Sequence, residues 1–173
     1  VPGCLGHRHA LFGCSGKLPE RLAPGDTVQL LNLGGVLGIC DSVNPDLGRP
    51  FECEVLGAVL SFPVLGERIG RPARIGGEPL PEKPVLDLKG IPVVAMVGSC
   101  MNCGKTAAAC ALVREFAHQG LRIDGLKATG VSLRRDILAM ADAGARNTMI
   151  FTDLGVITTT PKTGPALTRT MLT

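Results

Sequence analysis

The pattern of hydrophobic and polar positions changes period once along the chain, close to residue 90. Before that point apolar residues come in short runs broken by glycine and proline. Thr27–Leu33 follows Pro24-Gly25-Asp26, a turn signal in which proline presets φ and glycine tolerates a positive one. Val36–Cys40 follows Gly34-Gly35, and Ala58–Phe62 and Arg71–Ile75 continue the series. In Phe51-Glu52-Cys53-Glu54-Val55 apolar and charged residues alternate, which predicts a strand that buries Phe51, Cys53 and Val55 on one face. Short strands at close spacing, separated by such turns, predict a small β-barrel.

Beyond residue 90 the runs lengthen. Ile91–Val97 is continuously apolar, as in a central strand buried on both faces. Lys105–Gln119 predicts a helix, with Ala107, Ala108, Ala109 and Leu112 as strong formers and Gly120 as its stop. Arg122–Lys127 predicts a strand, Leu133–Ala143 a helix and Thr148–Thr152 a third strand. Pro161–Met171 predicts a last helix, with Pro161 in its first turn and Thr160 as N-cap. Strands alternating with helices predict a parallel α/β sheet.

Composition supports the same division. Ten of the 13 prolines and 15 of the 23 glycines fall in residues 1–90, and the excess of basic over acidic residues lies after them. Pro79, Pro81 and Pro84 disfavour both helix and central strand, which places the boundary in Pro79–Gly90. The expected organisation is a β-rich, barrel-like domain over 1–84, a linker over 85–90 and an α/β domain over 91–173.

Of 173 residues 45% are hydrophobic and 19% charged, too apolar a balance for a disordered polyampholyte. A net charge of +3 and an absence of Trp and Tyr give no expectation of nucleic-acid binding. No apolar run approaches the ~20 residues that span a bilayer, and no secretory segment opens the chain; the expected location is the cytoplasm, with no membrane partner. Seven cysteines are an odd number, which argues for reduced thiols over a closed disulfide framework. The chain begins with Val1, and residues 91–173 hold only three predicted strands. The expectation is therefore a truncated product with an incomplete sheet, whose open edge invites a second copy or another partner.

The chemistry is concentrated where the Ile91–Val97 run meets the first helix. The junction reads Gly98-Ser99-Cys100-Met101-Asn102-Cys103-Gly104-Lys105-Thr106. Gly104-Lys105-Thr106 fits the end of a phosphate-binding loop, although Ser99 stands where its first glycine is expected, with Gly98 one residue earlier. Successive backbone N–H groups and a helix N-terminus suit a phosphate. Lys105 would reach its oxygens and the Thr106 hydroxyl would coordinate Mg²⁺. The expected ligand is ATP with Mg²⁺; no Asn/Thr-Lys-x-Asp guanine-reading motif is present.

At these residues the sequence resembles dethiobiotin synthetase and its P-loop relatives, whose loop also has five residues between its glycines. The similarity runs through Ala107–Leu112 and Gly120–Gly130 to about Ala145, and Gly125-Leu126-Lys127-Ala128 is similar to the family's Gly-x-Lys-Pro strand. The resemblance implies an ATP- and Mg²⁺-dependent fold in which Lys127 assists phosphoryl or carboxylate chemistry on a small substrate and Asp136 is associated with the metal. The family's Gly-Thr-Asp-Thr opening is here Gly98-Ser99-Cys100-Met101, and Ala128 replaces the proline. Dethiobiotin synthesis is therefore not carried over, and the chain looks closer to less characterised relatives.

Other residues have two readings each. Asp153, at the end of the third predicted strand, could hold Mg²⁺ or cap the strand end; Asp142 is divided between a helix-end surface role and a nucleotide-adjacent one. Arg134-Arg135 suits an acidic ligand or a solvated helix start. Thr158–Thr163 could contact a phosphate or simply precede a helix. Cys100-x-x-Cys103 could be a redox or metal pair, or small residues filling the loop. Cys4, His7, His9 and Cys14 are all zinc-ligand types in an unfamiliar spacing, whereas Cys40, Cys53 and Cys110 read as core. Three functional expectations follow. The leading one is ATP hydrolysis or ATP-dependent ligation or phosphoryl transfer. The others are a nucleotide-responsive binding module with little turnover, and a zinc or thiol protein.

Overall fold

Pro24 and Gly25 occupy the second and third positions of a turn closed by Asp26 N–H donating to the Ala23 carbonyl at 3.1 Å. Gly25 has φ +90°, the sign that this turn position demands. From this turn the chain enters the main sheet of the first of two compact units, Val1–Gly77 and Glu78–Thr173. The structure is a computed structural model that describes residues 1–10, 12–75 and 86–173. Pro79, Pro81 and Pro84, on which the boundary was predicted, lie outside the described residues.

The first unit holds β1 (Cys4–Leu5), β2 (Cys14–Lys17), β3 (Thr27–Asn32), β4 (Val36–Val43), β5 (Glu52–Glu54), β6 (Leu60–Ser61) and β7 (Arg71–Pro72). β3 and β4 form a hairpin whose turn is held by the Asn32 side chain, which accepts from Gly34 N and Val36 N. β4 is shared: Val36 and Leu37 pair parallel with β1, while Ile39–Val43 pair antiparallel with β2. β5 pairs antiparallel with the far edge of β3. Val28, Leu31, Val36 and Cys14 are buried and form the core of this unit.

Leu31 explains two glycines. A Cβ on Gly16 would lie 2.7 Å from a Leu31 methyl and 2.6 Å from the Ile39 carbonyl, and one on Gly38 would lie 2.8 Å from the Lys17 carbonyl. Both contacts involve backbone that cannot give way without shifting the ladder. Gly38→Ala is expected to destabilise this unit by about 1–3 kcal/mol. Urea unfolding followed by circular dichroism measures this directly, and an unchanged midpoint would contradict the packing.

The strands do not close into the predicted barrel. The sheet is mixed and open, with order β1-β4-β3-β5 and β2 added on β4. Closure needs staggered strands that pair all the way round; the edge strands here have two and three residues, and β6 and β7 pair only with each other. The alternation in Phe51–Val55 also only half succeeds. The strand starts at Glu52, Cys53 and Val55 are partly buried, and Phe51 is 74% exposed. Its carbonyl accepts from Leu30 N, but no described element covers its ring.

The second unit runs α1 (Lys105–His118), β8 (Asp124–Lys127), α2 (Arg135–Asp142), β9 (Asn147–Ile150), a 3-10 turn (Phe151–Leu154) and α3 (Gly164–Met171). β8 and β9 pair in parallel, Asp124 opposite Asn147 through Lys127 opposite Ile150, with α2 as the crossover. Glycine ends two of the helices. Gly120 N–H donates to Ala117 O and Leu121 N–H to Phe116 O; Gly144 and Ala145 repeat the pattern on Ala141 and Met140. Gly120 and Gly144 have φ +79° and +113°, as the residue after such a helix end requires. Buried residues at helical spacing, Ile137 and Met140 on α2 and Leu167 and Met171 on α3, pack with Ile150 and Phe151.

The expected central strand is overturned. Residues 91–97 form no strand, and Ile91 and Val97 are 67% and 89% exposed. β8 and β9 pair with each other, and no described strand pairs with the run. An apolar run records a demand for burial but not which edge satisfies it. The third predicted strand is also shorter than expected, because Phe151 and Thr152 turn into the 3-10 segment. The last helix starts at Gly164, and Thr160 caps the preceding turn, its Oγ1 accepting from Thr163 N at 3.2 Å. No helix among the described residues is long and apolar enough to cross a membrane.

Candidate functional site

Residues 98–104 form an exposed loop of bends and turns that ends directly in α1. Two residues in it have positive φ, Asn102 at 61° and Gly104 at 86°, so the chain reverses sharply before the helix. The loop folds back on its own start: a Cβ on Gly98 would collide with Cys103 Sγ and lie 3.2 Å from Lys105 Cγ. The Cys100 amide is turned onto Cys103. The loop's amides lie at the N-terminal end of a 14-residue helix, where its dipole favours an anion.

Lys105 and Thr106 are the first two residues of α1. Lys105 Nζ curls over the loop and donates to the Cys100 carbonyl at 2.5 Å and to Cys103 Sγ at 3.2 Å. Thr106 Oγ1 donates to Asp136 Oδ1 at 3.1 Å, and Asp136 Oδ2 pairs with Lys127 Nζ at 2.6 Å. Lys127 Nζ also donates to the Leu133 carbonyl at 3.3 Å. Thr106, Asp136 and Lys127 thus form one connected chain of polar contacts, from the start of α1 through the first turn of α2 to the last residue of β8. Carboxyl ends of parallel strands are where open α/β sheets take ligands.

The electrostatics follow from this chain. Burial pushes the Asp136 carboxyl up, but the Lys127 ammonium, the Thr106 hydroxyl and the Arg135 charge together outweigh it and hold the group below the usual carboxylate range. A lowered pKa means that the carboxylate is favoured by folding, so its contribution is complete above the unfolded value, about 4, and is lost as pH falls through the folded one. The pair is partly buried, so Asp136→Asn is expected to cost about 1–2 kcal/mol, between an exposed and a fully buried ion pair. Urea unfolding at pH 7 and pH 3 checks both points: the difference between wild type and variant should shrink at pH 3. An equal difference at both pH values would contradict the assignment.

The remaining sequence candidates lie in different surroundings. Asp153 Oδ1 accepts from Arg134, at the start of α2, at 3.1 Å, and Oδ2 accepts from Ile150 N at 3.0 Å, which closes the turn after β9. Arg135 reaches the site through its charge on Asp136. Asp142 lies at the exposed end of α2. Thr159 Oγ1 accepts from Gly130 N at 2.8 Å, and Thr159 N donates to the Gly130 carbonyl, which ties the loop after β8 to the segment before α3. Sequence reasoning missed this tie; the positive φ of Gly130, +126°, was its one local trace.

Among the described residues no group of three or more His, Cys, Asp or Glu side chains is placed to hold a metal ion. Cys4, His7, His9 and Cys14 are not gathered into such a group: Cys4 lies on β1, while Cys14 lies on β2 and meets Cys40 on β4. All seven cysteines are free thiols, and Cys110 packs against the core of its unit. No protein-family description, curated protein or solved structure matches the chain.

Proposed function

We propose that the chain is a P-loop-type protein that binds Mg-ATP and uses it for hydrolysis or for ATP-dependent ligation or phosphoryl transfer to a small substrate. The observation that carries this reading is the convergence of Thr106, Asp136 and Lys127 beside Lys105 and an amide-rich loop. The donor set fits the ligand. Loop amides and the Lys105 ammonium suit phosphate oxygens, and the Thr106 hydroxyl with the Asp136 carboxylate suits Mg²⁺, a hard cation that takes oxygen ligands. The metal supplies charge neutralisation when bound. The chain's own part is to position: Lys105 and the amides orient the phosphate, and Asp136 holds both Thr106 and Lys127.

Lys127 is the group best placed to act on whatever receives the phosphoryl or carboxyl group, because it stands at the strand end next to Asp136. Phosphate release from Mg-ATP by the purified chain tests turnover, and competition between ATP and GTP tests the base. A second reading, a nucleotide-responsive module with little turnover, draws on the exposure of Ile91, Val93, Val94 and Val97, an apolar surface of the kind that partners cover. ATP binding without phosphate release would favour it.

A further inference from the structure

The seven thiols are not equivalent. Cys14 is buried, Cys4, Cys40, Cys53 and Cys110 are partly covered, and only Cys100 and Cys103 are exposed. These two close a turn with Met101 and Asn102 at its tip. Residues that close such a turn have Cα atoms within about 7 Å, the span that a disulfide bridges. Cys103 Sγ already lies against the loop it would bridge. It receives Lys105 Nζ at 3.2 Å and crowds Gly98.

We infer that Cys103 is a modification site for low-molecular-weight disulfides and that Cys100 resolves the adduct, placing a disulfide across the loop that would take phosphate. The chemistry is thiol–disulfide exchange. The Cys103 thiolate attacks one sulfur of the reagent RSSR, whose S–S bond breaks, and RS⁻ leaves. Cys100 gives its proton to solvent and attacks the Cys103 sulfur, forming the Cys100–Cys103 bond and expelling the second RS⁻. Two protein thiols are oxidised and one small disulfide is reduced to two thiols.

Three features favour Cys103 as the attacking group. It is exposed, which access to the reagent requires. The Lys105 ammonium first, and then the Cys100 backbone amide, hold its thiol below the ordinary range, whereas burial raises Cys4 and Cys40. Its resolving partner is three residues away. The same Lys105 and amide donors are those that a phosphate would need, so the bridge would lie across the phosphate's place. This consequence rests on the nucleotide reading above; the reactivity of the pair does not.

The test treats the chain with oxidised glutathione, alkylates the remaining thiols and maps the peptides by mass spectrometry. The Cys100–Cys103 bridge should form at least about tenfold faster than any adduct on the other five cysteines. Cys100→Ser should stop at the mixed disulfide on Cys103, and Cys103→Ser should lose the fast phase. Modification of Cys103 no faster than that of Cys53 or Cys4 would overturn the assignment. Oxidation should weaken Mg-ATP binding by at least about tenfold, restored by dithiothreitol. In the double Ser variant binding, whatever its level, should ignore oxidised glutathione. A bridged loop that binds as well as the reduced one would overturn the consequence. Reduced protein that binds no ATP while the bridge still forms fast would remove the nucleotide reading and leave the thiol chemistry standing.

Discussion

Lys105→Ala is expected to lower Mg-ATP affinity by at least about a hundredfold, the loss of roughly 3 kcal/mol that a charge-assisted contact to phosphate supplies. The side chain sits at the first residue of α1, and its ammonium meets the Cys100 carbonyl and Cys103 Sγ. Neither contact ties it to the hydrophobic core, which is built from α2, α3, Ile150 and Phe151. Removal of the ammonium should therefore leave the unfolding midpoint within about 0.5 kcal/mol of wild type, as for other exposed substitutions. Equilibrium dialysis with labelled ATP measures the affinity, and circular dichroism the fold. Unchanged affinity in a folded variant would detach Lys105 from any phosphate.

Phe151→Ala should have the largest effect on stability, about 3–5 kcal/mol. Phe151 is fully buried, as are its neighbour Ile150 and, across the packing, Ile137. A domain has about 5–15 kcal/mol in total, so this truncation would leave the second unit close to its unfolding threshold. The effect should also reach the site, because Ile137 packs on this cluster and the adjacent Asp136 holds Thr106 and Lys127. Phe151→Leu, which keeps most of the volume, should cost less than about 1.5 kcal/mol. Urea unfolding by circular dichroism separates the two variants; equal, small losses would mean that the cluster can collapse around the cavity.

Much of this second unit was legible from residues. Gly120 marked the end of α1 because only a residue free to take positive φ closes that helix end so readily. The helices predicted over Leu133–Ala143 and Pro161–Met171 are present as Arg135–Asp142 and Gly164–Met171. Lys105 and Thr106 were singled out by their own motif, Lys127 and Asp136 only through the family resemblance, and Thr106, Asp136 and Lys127 are joined by direct polar contacts. What stayed hidden depends on partners distant in sequence. Ile91–Val97 is apolar whether or not a strand lies beside it. Phe51 alternates correctly with Glu52 but starts one residue before the pairing. Nothing in the sequence singled out Gly16 and Gly38, where Leu31 and the opposing carbonyls leave no room for a Cβ. Barrel closure failed for the same reason: five of the seven strands were readable, but β1, β2 and the two- and three-residue lengths of the edges were not.

The loop from Gly98 to Thr106 is proposed to hold the phosphates of a Mg-nucleotide. Calorimetric titration of the reduced chain with ATP tests it most directly, run once with Mg²⁺ and once with the metal chelated. The expected result is saturable binding of one ATP per chain that weakens when Mg²⁺ is removed. Absence of saturable binding at millimolar ATP in the presence of Mg²⁺ would contradict the account.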